Sequence, residues 1–104
     1  MIKFNDTQQF VITAIYGNTG NFREEVRQIA RQYRKGIAET TEMLLGKAAD
    51  TLLERHNCTV DQDEDEGTPD CSRWVIQTPW TMFDCFATRT EAVDFGIRQI
   101  MRCA

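Results

Sequence analysis

The sequence predicts a small single domain of the α+β class, with about three strands packed with two or three helices. Three observations predict it: a β-rich segment near the N-terminus, a long helical period after it, and a hairpin pattern followed by a capped helix. Hydrophobic residues make up 41% and charged residues 27% of the 104 residues, which is ordinary for one globular domain. We divide the domain 1–104 into a helical half, 1–60, an acidic linker, 61–72, and a hairpin-helix half, 73–104.

The first predicted element is a strand over residues 8–16. This segment is rich in β-branched and aromatic side chains, and it ends at Gly17, where a loop rich in Gly and Asn begins. Together with the C-terminal hairpin, this N-terminal strand would give a three-stranded sheet, antiparallel or mixed, that is covered by helices.

The loop of residues 16–21 (Tyr-Gly-Asn-Thr-Gly-Asn) resembles the phosphate-binding turn of flavodoxins. The resemblance implies a turn whose backbone N–H groups and following helix N-terminus hold a flavin phosphate. The chain lacks the strand–helix repeats of a doubly wound sheet, however, so the resemblance is confined to this loop. We therefore interpret the segment as a connection that caps the following helix, and we expect no cofactor.

A helical period follows the loop. Asn21 and Glu24 have the spacing of a capping box, and apolar residues then recur on one helical face. This face comprises Phe22, Val26, Ile29, Tyr33 and Ile37. An unbroken helix over residues 22–57 would be about 54 Å long, which is too long for a compact domain of this size. We therefore predict a break near Gly36 into two antiparallel helices; the alternative is one long helix that forms a homodimer through residues 22–57.

The C-terminal half predicts a hairpin and a helix. The two strands cover residues 74–78 and 82–87, with the turn at Pro79 and Trp80. Thr88 and Glu91 then form a capping box that opens a helix reaching about Cys103. The inward stripe of this helix comprises Ala92, Val93, Gly96, Ile97, Ile100 and Met101.

The acidic run at the start of the linker separates two halves of different charge. Residues 1–60 hold eight Lys or Arg against seven Asp or Glu, whereas residues 61–104 hold four against nine. The run begins like an EF-hand, but the turn glycine and the final glutamate are missing, so we predict no metal site. A solvated charge run is the ordinary interpretation, and a partner-binding segment is the functional one. The partner-binding candidates are Asp61, Asp63, Glu64, Asp65 and Glu66.

A stripe of basic residues follows one flank of the first long helix. It comprises Arg23, Arg27, Arg31 and Arg34, with Lys35. A solvated face balanced by neighbouring glutamates is one interpretation. The functional alternatives are contact with nucleic-acid phosphates and contact with an acidic partner, which could be the chain's own residues 61–66. The sequence pI of about 4.9 is unlike that of a dedicated nucleic-acid binder.

Two aromatic residues fall at positions that a core would not use. Phe95 lies opposite the inward stripe of the last helix, and Trp80 occupies a turn beside Pro79. Exposed aromatic side chains are typical of the centre of protein–protein interfaces, so Trp80 and Phe95 join the partner-binding candidates. The alternative is that a neighbouring helix covers Phe95 and that Trp80 folds over the hairpin.

No pattern in the sequence predicts a catalytic residue. His56 and Cys58, with Cys71, lack the paired cysteine spacing of a structural zinc site, and the sole serine, Ser72, lies in the linker. Without a secretory signal we expect the cysteines to be reduced thiols and the protein to be cytoplasmic. The longest nearly apolar run, residues 10–16, is too short to cross a membrane.

These patterns predict a small non-enzymatic protein that binds another protein. Its size and segregated charge are typical of phage and mobile-element accessory proteins. The best hypothesis is an inhibitor or modulator of a host nucleic-acid-processing or defence complex, similar in character to anti-CRISPR proteins. Its carboxylates would then stand where the target expects phosphates. The alternative is a nucleic-acid-binding or regulatory protein that uses the arginine stripe.

Overall fold

The computed structural model describes residues 3–63, 73–80 and 82–103, and it confirms the α+β class. The elements follow one another as α1 (Asp6–Tyr16), α2 (Thr19–Tyr33), α3 (Ile37–Arg55), β1 (Thr59–Asp63), β2 (Arg73–Gln77), β3 (Met82–Phe86) and α4 (Arg89–Cys103). The chain divides into two compact units, Met1–Leu52 and Leu53–Ala104. This division falls inside α3, earlier than the boundary at residue 60 that the sequence suggested.

The predicted N-terminal strand is wrong, because residues 8–16 belong to helix α1. Asn5 forms a capping box in which its side-chain oxygen accepts the Gln8 N–H at 2.8 Å and its own N–H donates to Gln8 Oε1 at 3.0 Å. Val11 and Ile12 are buried, so the packing of one helical face outweighs the β-favouring composition. Gly17 ends the helix with φ of 87°, a conformation that suits glycine.

The loop between α1 and α2 is a connection that caps a helix, as the sequence predicted. The capping residue is Asn18 rather than Asn21, since Asn18 Oδ1 accepts the Asn21 N–H at 2.8 Å. Helix α2 ends at Tyr33 and α3 begins at Ile37, which confirms the predicted break near Gly36. The unbroken helix that motivated a homodimer through residues 22–57 is therefore not formed.

The first unit has a small apolar core. Its buried members are Ile12, Phe22, Val26 and Leu44, and partly buried Phe4, Tyr16, Ile29, Met43 and Leu45 pack against them. Phe22 is fully buried, and the rings of Phe4 and Tyr16 meet it edge-on with centroids at 5.6 Å and 5.1 Å. Aromatic edge contacts of this kind add to the stability that the burial of apolar area provides.

The second unit contains a three-stranded antiparallel sheet in the order β1-β2-β3. Strands β2 and β3 confirm the predicted hairpin and its turn at Pro79 and Trp80. The third strand is β1, which contains Asp61, Gln62 and Asp63, so the predicted linker 61–72 is wrong over its first three residues. The remaining linker residues, 64–72, lie outside the described part of the chain.

Helix α4 covers one face of this sheet. Its N-terminus is capped as predicted, with Thr88 Oγ1 accepting the Glu91 N–H at 3.2 Å. The predicted inward stripe is confirmed at Ala92, Gly96, Ile97 and Ile100, which are buried, and Val93 and Met101 are partly buried. Gly96 permits a close approach, since a Cβ built there would collide with the Ile76 side chain of β2.

Candidate functional site

The face of the sheet opposite α4 is exposed. Side chains of cross-strand partners point to the same face, and successive residues alternate. Ile76 points towards α4, where it meets Gly96, so its neighbours Val75 and Gln77 point away. The register pairs Thr59 and Met82 with Gln77, and Asp61 with Val75. We define the outer face as Thr59, Asp61, Val75, Gln77 and Met82.

Two large apolar side chains stand out at this face. Met82, at the start of β3, is 62% exposed, and Trp80, in the turn just before it, is 48% exposed. Thr59, Asp61 and Gln77 are also exposed, while Val75 is half-buried. The exposure of Trp80 confirms its predicted surface position. Exposed apolar area is therefore present at Met82 and in the adjoining turn at Trp80, and a carboxylate, Asp61, lies on the same face of the sheet as Met82, two strands away.

Asp61 is the one acidic candidate whose side chain the structure describes. Asp61 is exposed and pairs with Val75, whereas Gln77, two residues later in β2 and closer to the turn, pairs with Thr59. Asp63 ends β1 in register with Arg73, and its side chain lies outside the described part of the chain. The candidates Glu64, Asp65 and Glu66 fall there entirely.

Phe95 does not join the outer face. It lies on α4, which packs against the other side of the sheet, and its ring contacts Phe86 of β3 with centroids 5.2 Å apart. The side chain is partly buried, so the prediction of an exposed aromatic at this position is wrong. The sheet itself covers Phe95, which the helical pattern of α4 alone could not reveal.

The arginine stripe divides into two parts with different roles. Arg23 is half-buried with its guanidinium 5.0 Å from the centre of the Phe4 ring, and Arg27 Nε donates to the Arg23 carbonyl at 3.4 Å. Arg31 and Arg34 are exposed. Lys35 is exposed and lies 4.0 Å from a carboxylate oxygen of Glu39. Arg23 therefore contributes to the packing of the first unit, whereas Arg27, Arg31, Arg34 and Lys35 are exposed on the surface.

The sequence pattern placed Tyr33 and Ile37 on the apolar face of one helix, and both are exposed, by 60% and 49%. The core prediction is wrong at these two positions because α2 ends at Tyr33 and α3 begins at Ile37. The predicted break near Gly36 could have indicated this exposure, since residues on either side of a break no longer share one helical face.

Cys58 is buried, whereas His56, two residues before it, is exposed. The Cys58 thiol lies 3.6 Å from the backbone carbonyl of His56, and burial raises the pKa of this thiol. A reactive cysteine requires the opposite, a lowered pKa and access to solvent. Within residues 3–63, 73–80 and 82–103, no group of three potential metal-ligating side chains is found.

No helix among the described residues is long and apolar enough to cross a membrane. Comparison with known proteins gives no match: no protein-family model fits the chain, and no curated protein or solved structure is significantly similar to it. The candidate site therefore depends on the chain's own geometry.

Proposed function

We propose that this protein acts by binding another protein through the outer face and Trp80. The observation that carries the proposal is the pair of exposed apolar side chains, Trp80 and Met82, two positions apart in one hairpin. Tryptophan and methionine are enriched at interface centres, and tryptophan supplies much of the binding energy where it is buried by a partner. A three-stranded sheet supported by α4 holds both residues on a rigid frame.

The partner that we propose has a basic surface. Asp61 lies on the outer face, and the sequence continues from it into Asp63, Glu64, Asp65 and Glu66. A basic surface of this kind is typical of proteins that bind nucleic acids. The protein would then be an inhibitor or modulator of a nucleic-acid-processing or defence complex, in the manner of a phage accessory protein. Carboxylates would occupy positions where the target binds phosphates.

The proposed setting is the cytoplasm. Cys58 and Cys103 are both free thiols, which suits a reducing compartment. Cys103 is exposed, and a free exposed thiol would be oxidised readily outside such a compartment.

The second candidate function is nucleic-acid binding through the arginine stripe. The exposure of Arg31 and Arg34 favours it. Fluorescence anisotropy with DNA and RNA oligonucleotides over a range of salt concentrations separates the two functions. Phosphate contacts would give an affinity that falls steeply with salt and that Arg31→Ser and Arg34→Ser reduce.

The test of the proposed function is quantitative affinity purification from the native host with matched variants. The double variant Trp80→Ser, Met82→Ser removes the apolar part of the outer-face site, and Gln28→Ser is the control because it removes an exposed, uncharged side chain of α2, in the first unit. We expect the wild type and the control to recover the same partner. The double variant should bind it at least about 30-fold more weakly, since an interface tryptophan contributes roughly 2 kcal/mol or more.

The charge of the partner is tested separately. Asp61→Lys should weaken binding and reduce its dependence on salt, because the carboxylate attracts a basic partner. Circular dichroism and thermal unfolding establish that each variant is folded. Equal recovery of the partner by the double variant and the wild type would show that Trp80 and Met82 are not the binding site.

A further inference from the structure

The junction between α2 and α3 is a second exposed surface, on the first unit. Every residue from 31 to 39 is exposed. The segment includes Tyr33 and Ile37, which are 60% and 49% exposed. These two large apolar side chains are close in sequence, and neither stabilises the fold by burial, because neither lies in the core. Their presence therefore points to an external contact.

The backbone of this junction adds a second observation. Helix α2 ends in a Schellman motif, in which the Lys35 N–H donates to the Ala30 carbonyl at 2.9 Å and the Arg34 N–H donates to the Arg31 carbonyl at 3.4 Å. Arg34 thereby adopts the left-handed conformation, with φ of 54° and ψ of 43°. Among the described residues, the other two with positive φ are Gly17 and Asn57, types that suit it.

An arginine in this conformation is less favourable than a glycine, because its Cβ crowds the following carbonyl oxygen. The stability of the helix end would favour glycine or asparagine at position 34. The chain instead carries a long cationic side chain there, directly after the exposed Tyr33. Such a departure from the locally favoured residue is expected where the side chain serves binding.

The charges of the junction indicate what binds there. Arg31, Arg34 and Lys35 are exposed cations, and one carboxylate, Glu39, lies beside Lys35 at 4.0 Å in an exposed ion pair that holds it weakly. Exposed cations that alternate in sequence with two exposed apolar side chains complement a partner that presents carboxylates around an apolar anchor. Nucleic-acid phosphates would complement the cations but would leave Ile37 without a role.

We propose that residues 31–39 form a docking surface for an acidic amphipathic segment of a partner protein. Arg31, Arg34 and Lys35 pair with its carboxylates, and Tyr33 and Ile37 receive its apolar side chains. Recognition of this kind resembles the binding of an amphipathic helix through spaced apolar anchors. This surface consists of residues of the first unit and shares none with the outer face, so it goes beyond the proposed function and does not depend on it.

The test uses a synthetic peptide in which leucine recurs at every third or fourth position among glutamates. A second peptide has the same composition, with all leucines moved to one end. The informative variant is Ile37→Glu, which adds a carboxylate at the start of α3, where the helix dipole favours it. The fold should therefore tolerate the change while the acidic peptide is repelled.

The matched control is Thr51→Glu, which adds the same charge at an exposed position of the same helix, about 21 Å further along. By isothermal titration calorimetry we expect the amphipathic peptide to bind the wild type and the Thr51→Glu variant with affinities within about twofold of each other. Ile37→Glu should weaken binding at least about tenfold. The rearranged peptide should bind at least about tenfold more weakly than the amphipathic one.

Three results would overturn the proposal. The first is no binding of the amphipathic peptide, or equal weakening by Ile37→Glu and Thr51→Glu. The second is tight binding of an oligonucleotide that Arg34→Asn abolishes and Ile37→Glu leaves unchanged, which would assign the junction to nucleic acid. The third is a dimer in light scattering that Ile37→Glu dissociates, which would assign it to a second copy of the chain. The Trp80→Ser, Met82→Ser variant should bind the peptide normally, so failure here is distinct from failure of the proposed function.

Discussion

Gly96 of α4 lies against the sheet so closely that a methyl group has no room. A Cβ at this position would collide with Ile76 Cδ1 and would lie 2.9 Å from Leu53 Cδ2. Ile76 and Leu53 are both buried, with exposures of 0% and 2%, so neither side chain has free space into which it can turn. The change Gly96→Ala should therefore force the core of the second unit apart.

The magnitude follows from two opposing effects. Alanine is favoured over glycine inside a helix by about 1 kcal/mol. Overpacking of a closely packed core costs about 1–3 kcal/mol. Gly96→Ala should consequently lower the free energy of unfolding by up to about 2 kcal/mol. Gly46, within α3, is the matched control, because it is exposed and a Cβ there meets nothing within 4 Å. Gly46→Ala should raise the free energy of unfolding by about 1 kcal/mol.

Urea unfolding followed by circular dichroism measures both changes. A further variant, Ile76→Val, removes the Cδ1 atom and costs about 0.5–1.5 kcal/mol by itself. In the Gly96→Ala background it should cost less or should stabilise, because it removes the atom that collides with the new methyl group. The reasoning is refuted if Gly96→Ala stabilises the protein as much as Gly46→Ala does, or if the effects of Gly96→Ala and Ile76→Val simply add.

Two further predictions concern the first unit. Arg34→Gly should raise the free energy of unfolding by about 0.5–1 kcal/mol, because it relieves the left-handed conformation at the cost of a more flexible unfolded chain. Asn57→Gly, at the corresponding position after α3, should change the free energy of unfolding by less than about 0.5 kcal/mol. Urea unfolding checks both, and equal effects would contradict the assignment of strain to Arg34. Burial, with the charge of Glu25 and a hydrogen bond to it, raises the pKa of Tyr16 to about 12. Unfolded tyrosine loses its proton near pH 10, so the contribution of Tyr16 to stability should be complete below about pH 10 and should be lost as the pH rises from about 10 to about 12. Tyr16→Phe should remove this decline, and a decline that persists in that variant would contradict it.

The C-terminal half was predictable because its signals are local. The Thr88 capping box, the turn at Pro79 and Trp80, and the alternation of the two strands each depend on a few neighbouring residues. Strand β1 was not predicted, because its alternating acidic residues resemble a solvated linker. In the sequence, residues 64–72 separate β1 from β2, and amino-acid composition does not indicate which separated segments pair.

The error at α1 has a different cause. Its β-branched and aromatic content favours a strand, yet Val11, Ile12, Ile15 and Tyr16 also recur at helical spacing. The capping box at Asn5 supplies the local start, and burial against the first unit's core supplies the energy. β-propensity is a weak preference that such packing overrides, so composition alone could not decide between the two structures.

The mismatch between pattern and exposure is the basis of the two proposed binding surfaces. Periodicity predicts which apolar residues a core can use, and it correctly places Phe22 and Val26 inside. Tyr33 and Ile37 satisfy the same period but are exposed, because the helix ends between them. Trp80 is also exposed, in a turn that a proline already specifies. These apolar side chains are required by neither the core nor the turn, and this is why we assign them to the proposed surfaces.

The charges beside these side chains then distinguish the two surfaces. Met82 and Asp61 lie on the same face of the sheet in the second unit, on strands that β2 separates, and Trp80 lies in the turn before Met82. Tyr33 and Ile37 flank Arg34 and Lys35 in the sequence of the first unit. A partner complementary to one surface would be repelled by the charge of the other, since like charges at an interface cost binding energy. The two surfaces therefore call for two different partner surfaces, one basic and one acidic, and each set of variants should affect one of them alone.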